Sequence, residues 1–287
     1  PPPPPPPPPP LLNHPAPPSK HTTAKSWAAS DVYKRQPFSL EEFSRHGGRT
    51  GPQADGWGLA FYEGSDAQLF REPGPAASSD WIGFLLKHSR HSRYVLSHIR
   101  QATVGDIALR NTQPYSRVLG GRRHVFCHNG DLTNLICLAN TGQFSPIGET
   151  DSELAFCSLM ERLSPLWHGK FPTLDARVEV ISETFSELAA LGPANFLYCD
   201  SEYLYAFANR RTHANGRMEA PGMYFLERHC ECDPEALRDS GIKVHDMVQD
   251  IVLFASVPLS KEGWQALGEN QLIIAQSGRI VNTVDSS

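Results

Sequence analysis

The chain has 287 residues, enough for one large domain or two small ones. A net charge of −5, with 20% charged residues, leaves no basic surplus and argues against nucleic acid or an acidic membrane surface as a partner. No apolar run approaches the roughly 20 residues that cross a bilayer. The six cysteines have no regular disulfide spacing, which points to free buried thiols in a reducing, cytoplasmic setting.

Pro1 to Pro10 form an unbroken homopolymer, which polyproline II or disorder accommodates and a packed core does not. Ser26 to Gln36 has neither helical nor strand periodicity and reads like a foreign junction joined to a coding sequence. Residues 1–36 are therefore expected to lie outside the fold, with one domain over residues 37–287.

From Pro37 onward the pattern becomes globular. Phe38 to Phe43 fits a short helix capped by Ser39, with Glu42 three residues later as its partner. After a glycine-rich turn at Gly47 to Pro52, Trp57 to Tyr62 places Trp57, Leu59 and Phe61 on one face of a strand. Ser79 is placed to cap a short helix over Trp81 to Lys87, and Arg93 to Arg100 reads as the next strand.

Val125 to Asp131 begins as another strand, with Val125 and Cys127 on one face and His124, Phe126 and His128 on the other. It is expected to break at Asn129-Gly130, the dipeptide most tolerant of positive φ. An Asn carboxamide and an exposed Gly amide at a strand end put two N–H donors beside one oxygen, as a tetrahedral acyl intermediate requires. A plain hairpin turn is the competing reading.

Thr150-Asp151-Ser152-Glu153 is a capping box, followed by Phe156, Leu159, Met160 and Leu163 at helical spacing. Leu174, Val178, Ile181, Phe185 and Leu188 mark a second helix, stopped by Gly192-Pro193. The remainder reads as strands, with hairpins at Asp200 to Glu202 and at Ser277-Gly278. Strands, two helices and strands again, with little βαβ alternation, indicate an α+β domain of mainly antiparallel sheets.

Three polar clusters fall at strand ends or a helix start: His98 to Thr103, His128 to Gly130, and Gly148 to Glu153. The Arg100 guanidinium suits a carboxylate, and the Asp151 carboxylate suits an ammonium. Together they would grip the two charges of a free amino acid and leave its side chain to reach the Asn-Gly donors. Each also has an ordinary structural explanation, as a surface charge or as an acid at a helix N-terminus.

The chain resembles the class II, N-terminal-nucleophile glutamine amidotransferases, most closely the small stand-alone type. The resemblance rests on Thr50-Gly51-Pro52, Asp55-Gly56-Trp57-Gly58, His98-Ile99-Arg100-Gln101-Ala102, Asn111-Thr112-Gln113-Pro114, His128-Asn129-Gly130, the Gly148 to Glu153 run and Val257-Pro258-Leu259. It implies an αββα sandwich, of the N-terminal-nucleophile hydrolase type, that hydrolyses the glutamine side-chain amide. It further implies that Arg100 binds the α-carboxylate, Asp151 binds the α-amine, Thr103 lines the glutamine pocket, and Asn129 with Gly130 forms the oxyanion hole.

The family's nucleophile is a cysteine at the mature N-terminus, with its own α-amine as general base. No cysteine precedes Cys127 here, and Cys127 sits on a strand as a core residue would. A domain truncated at its N-terminus and inactive as written is the expectation. A γ-glutamyl amide hydrolase of the same family and a non-catalytic glutamine or glutamate sensor are the alternatives.

No cofactor or metal is expected. His88 with His91, His124 with His128, and His229-Cys230-Glu231-Cys232 lack the second matching cluster that a structural zinc site needs. The expected ligand is a small molecule, and any released ammonia would need a separate accepting partner.

Overall fold

The computed structural model describes residues 25–32, 40, 43–88, 92–133, 135, 142–169, 171–231 and 248–285. Its elements run β1 (Lys25–Val32), β2 (Trp57–Glu63), β3 (Asp66–Glu72), α1 (Asp80–Lys87), β4 (Ser92–Ile99), β5 (Tyr115–Leu119) and β6 (Arg122–Gly130). Then come α2 (Asp151–Leu163), α3 (Leu174–Ala189), β7 (Ala194–Cys199), β8 (Leu204–Ala208), β9 (Arg211–Thr212), β10 (Met218–Glu219) and β11 (Tyr224–Glu231). β12 (Val248–Ala255), β13 (Gln265–Ala266), β14 (Gln271–Gln276) and β15 (Arg279–Asp285) complete the order.

Two sheets dominate. One has seven strands in the order β13-β11-β12-β1-β4-β2-β3, the other six in the order β15-β14-β8-β7-β6-β5. Every neighbouring pair in them is antiparallel. Val125 and Cys127 of β6 pack with Leu197 of β7 against Ala60, Leu96 and Phe254 of the other sheet, so one core fills the gap between sheets. Phe126 faces the opposite way and joins Phe156 of α2 and Phe185 of α3. Its ring stacks on Phe156 at 5.2 Å with 3° between planes. On the outer face of the larger sheet, Trp57, Leu59 and Phe61 meet Ile82 and Leu85 of α1. The layers are helix, sheet, sheet, helix: an αββα sandwich.

The alternation in β2 and β6 is therefore not apolar against polar. Both strands lie inside the sandwich and bury both faces, so period two decides which core a side chain enters.

One expectation is corrected outright. Residues 1–36 do not all lie outside the fold, because Lys25–Val32 is a central strand, with Ala28 opposite Leu96 on β4 and Phe254 on β12. The segment lacks apolar periodicity, so its side chains gave no sign of this. The backbone N–H and C=O rows of β4 and β12 need a strand between them whatever its side chains, and ladder bonds read no sequence.

Helix starts follow the expected chemistry with one difference. Ser79 Oγ accepts from Ile82 N at 3.4 Å, Thr173 Oγ1 from Ala176 N at 3.3 Å and Thr150 Oγ1 from Glu153 N at 3.2 Å. The Glu153 carboxylate does not reach back to Thr150 to close the box. It accepts instead from Gly148 N at 2.7 Å and from Arg117 at 2.6 Å, tying the preceding loop and β5 to α2. The expected cap pair Ser39 and Glu42 lies outside the described residues, while residues 43–46 are helical.

The place of β1 is testable. Ala28→Pro should remove one ladder bond and leave its partner unpaired, lowering unfolding free energy by at least about 2 kcal/mol in a denaturant titration. An unchanged midpoint would put the segment outside the sheet after all.

Candidate functional site

β4 and β6 end, and α2 begins, at the same edge of the sandwich. There Arg100, Thr103, Gly130 and Asp151 line one cleft, together with His98, Gln101, Gln113, His128 and Ser152. Asn129, between the lining residues His128 and Gly130 of β6, is buried, and its Nδ2 has no hydrogen-bond partner among the described residues. Residues separated by up to 54 positions in sequence are thus brought together because two strands end beside the start of a helix.

Arg100 follows the last residue of β4. Its backbone N–H donates to Gly56 O at 2.7 Å, its C=O accepts from Asp55 N at 3.1 Å, and Ala102 N donates to Asp55 Oδ2 at 2.8 Å. The Asp55-Gly56 pair therefore fastens the segment that presents the guanidinium. That group is 5% exposed and donates to the carbonyls of Asp106 (2.9 Å), Val104 (2.9 Å) and Gly105 (3.1 Å). Three of its five N–H donors are so engaged. Among the described residues no carboxylate lies in salt-bridge range of it, and burial draws its pKa down. Asn111 ties this loop to the next, donating to Asp106 O (3.1 Å) and Glu149 (2.8 Å) and accepting from Glu149 N (2.9 Å).

The end of β6 departs from the expected turn. Neither Asn129 nor Gly130 has positive φ, and both remain in register with β7, Asn129 opposite Asn195 and Gly130 opposite Ala194. Glycine is required here for space: a Cβ at residue 130 would lie 1.8 Å from Pro193 O.

On its other side β6 loses its neighbour, since the pairing with β5 stops at Tyr115 opposite Phe126. Two residues further, where backbone would face His128, the Gln113 carboxamide takes over. Its Oε1 accepts from His128 N at 2.6 Å and its Nε2 donates to His128 O at 3.1 Å, reproducing a hydrogen-bonded strand pair with a side chain. Gly58 lets this segment pass, because a Cβ there would meet Gln113 O at 2.3 Å. Asn195 Nδ2 donates to Asn129 O at 2.9 Å. That carbonyl shares a planar peptide with the Gly130 N–H, so fixing the oxygen on the β7 side aims the N–H away from it.

Asp151 opens α2. Its Oδ2 accepts from Leu132 N at 2.8 Å and its Oδ1 from Ser152 Oγ at 3.2 Å. His128 Nδ1 lies 3.0 Å from Ser152 Oγ and 3.8 Å from Asp151 Oδ2, and its Nε2 donates to Pro193 O at 3.3 Å. Burial lowers the His128 pKa against the pull of Asp151, and it lowers those of His98 and His124 to about 3 and about 4.

Cys127, Cys157 and Cys199 are buried free thiols. Burial pushes the Cys127 thiol far up, and it faces the inter-sheet core. The pair His124 and His128 forms no joint site, since His124 bonds Tyr198 and Leu119 O. His91, Cys137 and Cys232 lie outside the described residues. Gln113 and Asn195 carried no role in the sequence reading. Finding them needs the β5–β6 and β6–β7 registers, which the sequence alone does not set.

The family model for class-II glutamine amidotransferases matches residues 28–287. "Putative glutamine amidotransferase YafJ" of Escherichia coli (strain K12) is 36% identical over 231 residues, 80% of this chain and 88% of its own length. A "Putative glutamine amidotransferase" of Haemophilus influenzae is 34% identical over 251 residues, 86% of this chain and 82% of its own. A crystal structure of a "predicted glutamine amidotransferase" from Pseudomonas aeruginosa PA01 superposes with TM-score 0.59 at 25% identity, covering 91% of this chain and 97% of that one. Glutamine phosphoribosylpyrophosphate amidotransferase from B. subtilis superposes with TM-score 0.58 over 91% of this chain and 48% of its own; at 16% identity it speaks to the fold alone.

Two outcomes follow from the site's wiring. Gln113→Leu keeps the bulk but leaves His128 N and O short of their side-chain partner, and should destabilise the fold by about 2–4 kcal/mol in denaturant titration. Buried neutral histidines also predict acid lability. The unfolded chain takes up imidazole protons near about pH 6.5, whereas folded His98 and His124 resist until about 3 and about 4. Their contribution is complete above 6.5 and is lost as pH falls. Unfolding free energy at pH 5 should be lower than at pH 7 by on the order of 2 kcal/mol for each of the two; equal values would place these rings in water.

Proposed function

The chain belongs to the class-II glutamine amidotransferases, and from that premise we propose that its cleft binds free glutamine, with Arg100 on the α-carboxylate and Asp151 on the α-ammonium. Thr103 lines the pocket, and Asn129 Nδ2 with the Gly130 N–H receives the γ-carbonyl oxygen. The observation that carries this reading is Arg100 itself: a nearly buried arginine with no carboxylate in salt-bridge range among the described residues, in the same cleft as the Asp151 carboxylate. A zwitterion with both charges on one carbon supplies what each of them lacks. Burying a cation without an anion is costly, and a ligand carboxylate offsets that cost.

The reaction this site serves is hydrolysis of the side-chain amide to glutamate and ammonia. A thiolate adds to the carbonyl carbon of the side-chain amide, the oxyanion settles on the Asn129 and Gly130 donors, ammonia leaves, and water releases glutamate from the thioester. The thiol belongs to a cysteine with a free α-amine, whose pKa near about 7.7–8.0 suits a general base. Cys127, Cys157 and Cys199 do not serve, because each is buried. On this reading a chain without such a cysteine binds glutamine and does not turn it over.

Calorimetry on the chain should detect glutamine binding. Arg100→Ala and Asp151→Asn should each weaken it roughly 10- to 100-fold, the worth of a charge-assisted hydrogen bond. Ammonia release should be absent from the chain as given and present in a form whose β1 begins with a free cysteine. In that form Asn129→Ala should cost about 10²–10³ in turnover. Ammonia release by the chain as given would mean that a buried thiol such as Cys127 reaches the cleft; no binding of glutamine would end the reading.

A further inference from the structure

His98 stands on β4, opposite the end of β6, and has no part in the reading above. Its Nε2 lies 3.1 Å from His128 O. A carbonyl oxygen only accepts, so Nε2 carries the hydrogen, and the neutral imidazole is left with a lone pair on Nδ1. The ring is 1% exposed and Nδ1 has no hydrogen-bond partner among the described residues. Burial, with His128 and Arg100 nearby, holds the ring pKa at about 3, so at neutral pH Nδ1 accepts and does not donate.

We propose that His98 is a ligand-binding residue whose Nδ1 accepts a hydrogen bond from the N–H of a primary carboxamide, giving the cleft its selectivity for an amide over a carboxylate or an ester. The proposal rests on the glutamine reading above and adds the group that recognises the nitrogen end of the side chain. Two buried polar atoms without partners among the described residues are linked through one hydrogen bond and one peptide. His98 is bonded to the carbonyl of His128, and the next residue carries the unpartnered Asn129 Nδ2. One is a fixed acceptor, the other a donor. A primary carboxamide satisfies both, presenting an oxygen to Asn129 and an N–H to His98. A carboxylate has no hydrogen for Nδ1, and two lone pairs would then face each other without water to separate them. Gln101 Oε1 is a second unpartnered acceptor, but its amide can rotate to offer either end, whereas the bond to His128 O fixes the His98 tautomer.

The test compares glutamine with glutamate γ-methyl ester, which keeps the carbonyl and replaces the NH2. In the uniformly ¹⁵N-labelled chain, glutamine should shift the unprotonated Nδ1 resonance of His98 and the ester should not. Glutamine should bind about three- to tenfold tighter than the ester, the worth of one neutral hydrogen bond, and in His98→Phe the two should bind alike. The resonance measurement uses the unaltered chain, so it decides even where His98→Phe does not fold. Glutamine that perturbs Arg100 and Asn129 signals but leaves His98 Nδ1 unmoved would overturn this proposal alone. Glutamine that perturbs none of them would overturn the glutamine reading together with it.

Discussion

Past Tyr115, β6 has lost the strand that would hold its outer edge, and the Gln113 carboxamide holds His128 in that strand's place. The rest of the site depends on this substitution. A continued backbone ladder would cover the edge of β6 through Gly130 and leave no donor facing outward. No partner at all would leave the strand end to fray, and a frayed peptide does not hold two donors on one point. A side-chain amide satisfies one residue and stops, which holds the strand straight as far as His128 and leaves its last peptide uncovered on that edge. Asn195, gripping Asn129 O from the β7 side, fixes the same peptide from the other direction.

The far end of the sandwich is pinned differently. Asp200, just beyond β7, accepts from Arg177 at 2.8 Å, from Tyr205 at 3.1 Å and from the backbone of Glu202 and Tyr203 at 3.0 and 2.8 Å. The carboxylate is buried, and those four donors compensate its lost hydration. Arg177 also donates to Glu202 and to Pro172 O and lies over the rings of Trp167, Phe171 and Tyr203. β7 thus runs from a saturated ionic knot at one end to the cleft at the other, and β6 keeps its register against it throughout. A one-residue slip would carry Phe126 into the inter-sheet core and Cys127 toward the helices, which the packing on both faces forbids.

Much of this was legible in the sequence, for identifiable reasons. Phe156 to Leu163 and Leu174 to Leu188 carry helical periodicity because each helix covers one face of one sheet. β6 was readable as a strand, with its two faces correctly divided, because alternation survives even where both faces are buried. The polar clusters at the ends of β4, β6 and α2 stood out because polar residues at the end of an apolar run have few structural uses. What stayed hidden depends on register or on backbone. β1 is held by ladder bonds indifferent to side chains. Gly130 looked like a turn glycine, and only the approach of Pro193 O shows that it serves packing. Glu153 was readable as a cap partner because its spacing from Thr150 is right, yet Arg117 and Gly148 N offer its carboxylate a better bargain than Thr150 N.

Two nearly buried arginines show how the structure separates support from function. Arg177 faces two carboxylates and three aromatic rings, and four of its five N–H donors are engaged, so its charge is spent inside the protein. Arg100 is buried almost as deeply, at 5% exposure against 2%, but it is held by carbonyl dipoles and opens onto a cleft. Dipoles orient a guanidinium without cancelling its charge. Carbonyls alone cost the fold less than removing the cation from water with no acceptors, and they leave the field of a full positive charge at the cleft wall. The Asp151 carboxylate stands in the same cleft with Leu132 N and Ser152 Oγ as neutral donors. Opposite charges kept apart, each solvated by neutral groups and neither neutralising the other, select a ligand that carries both.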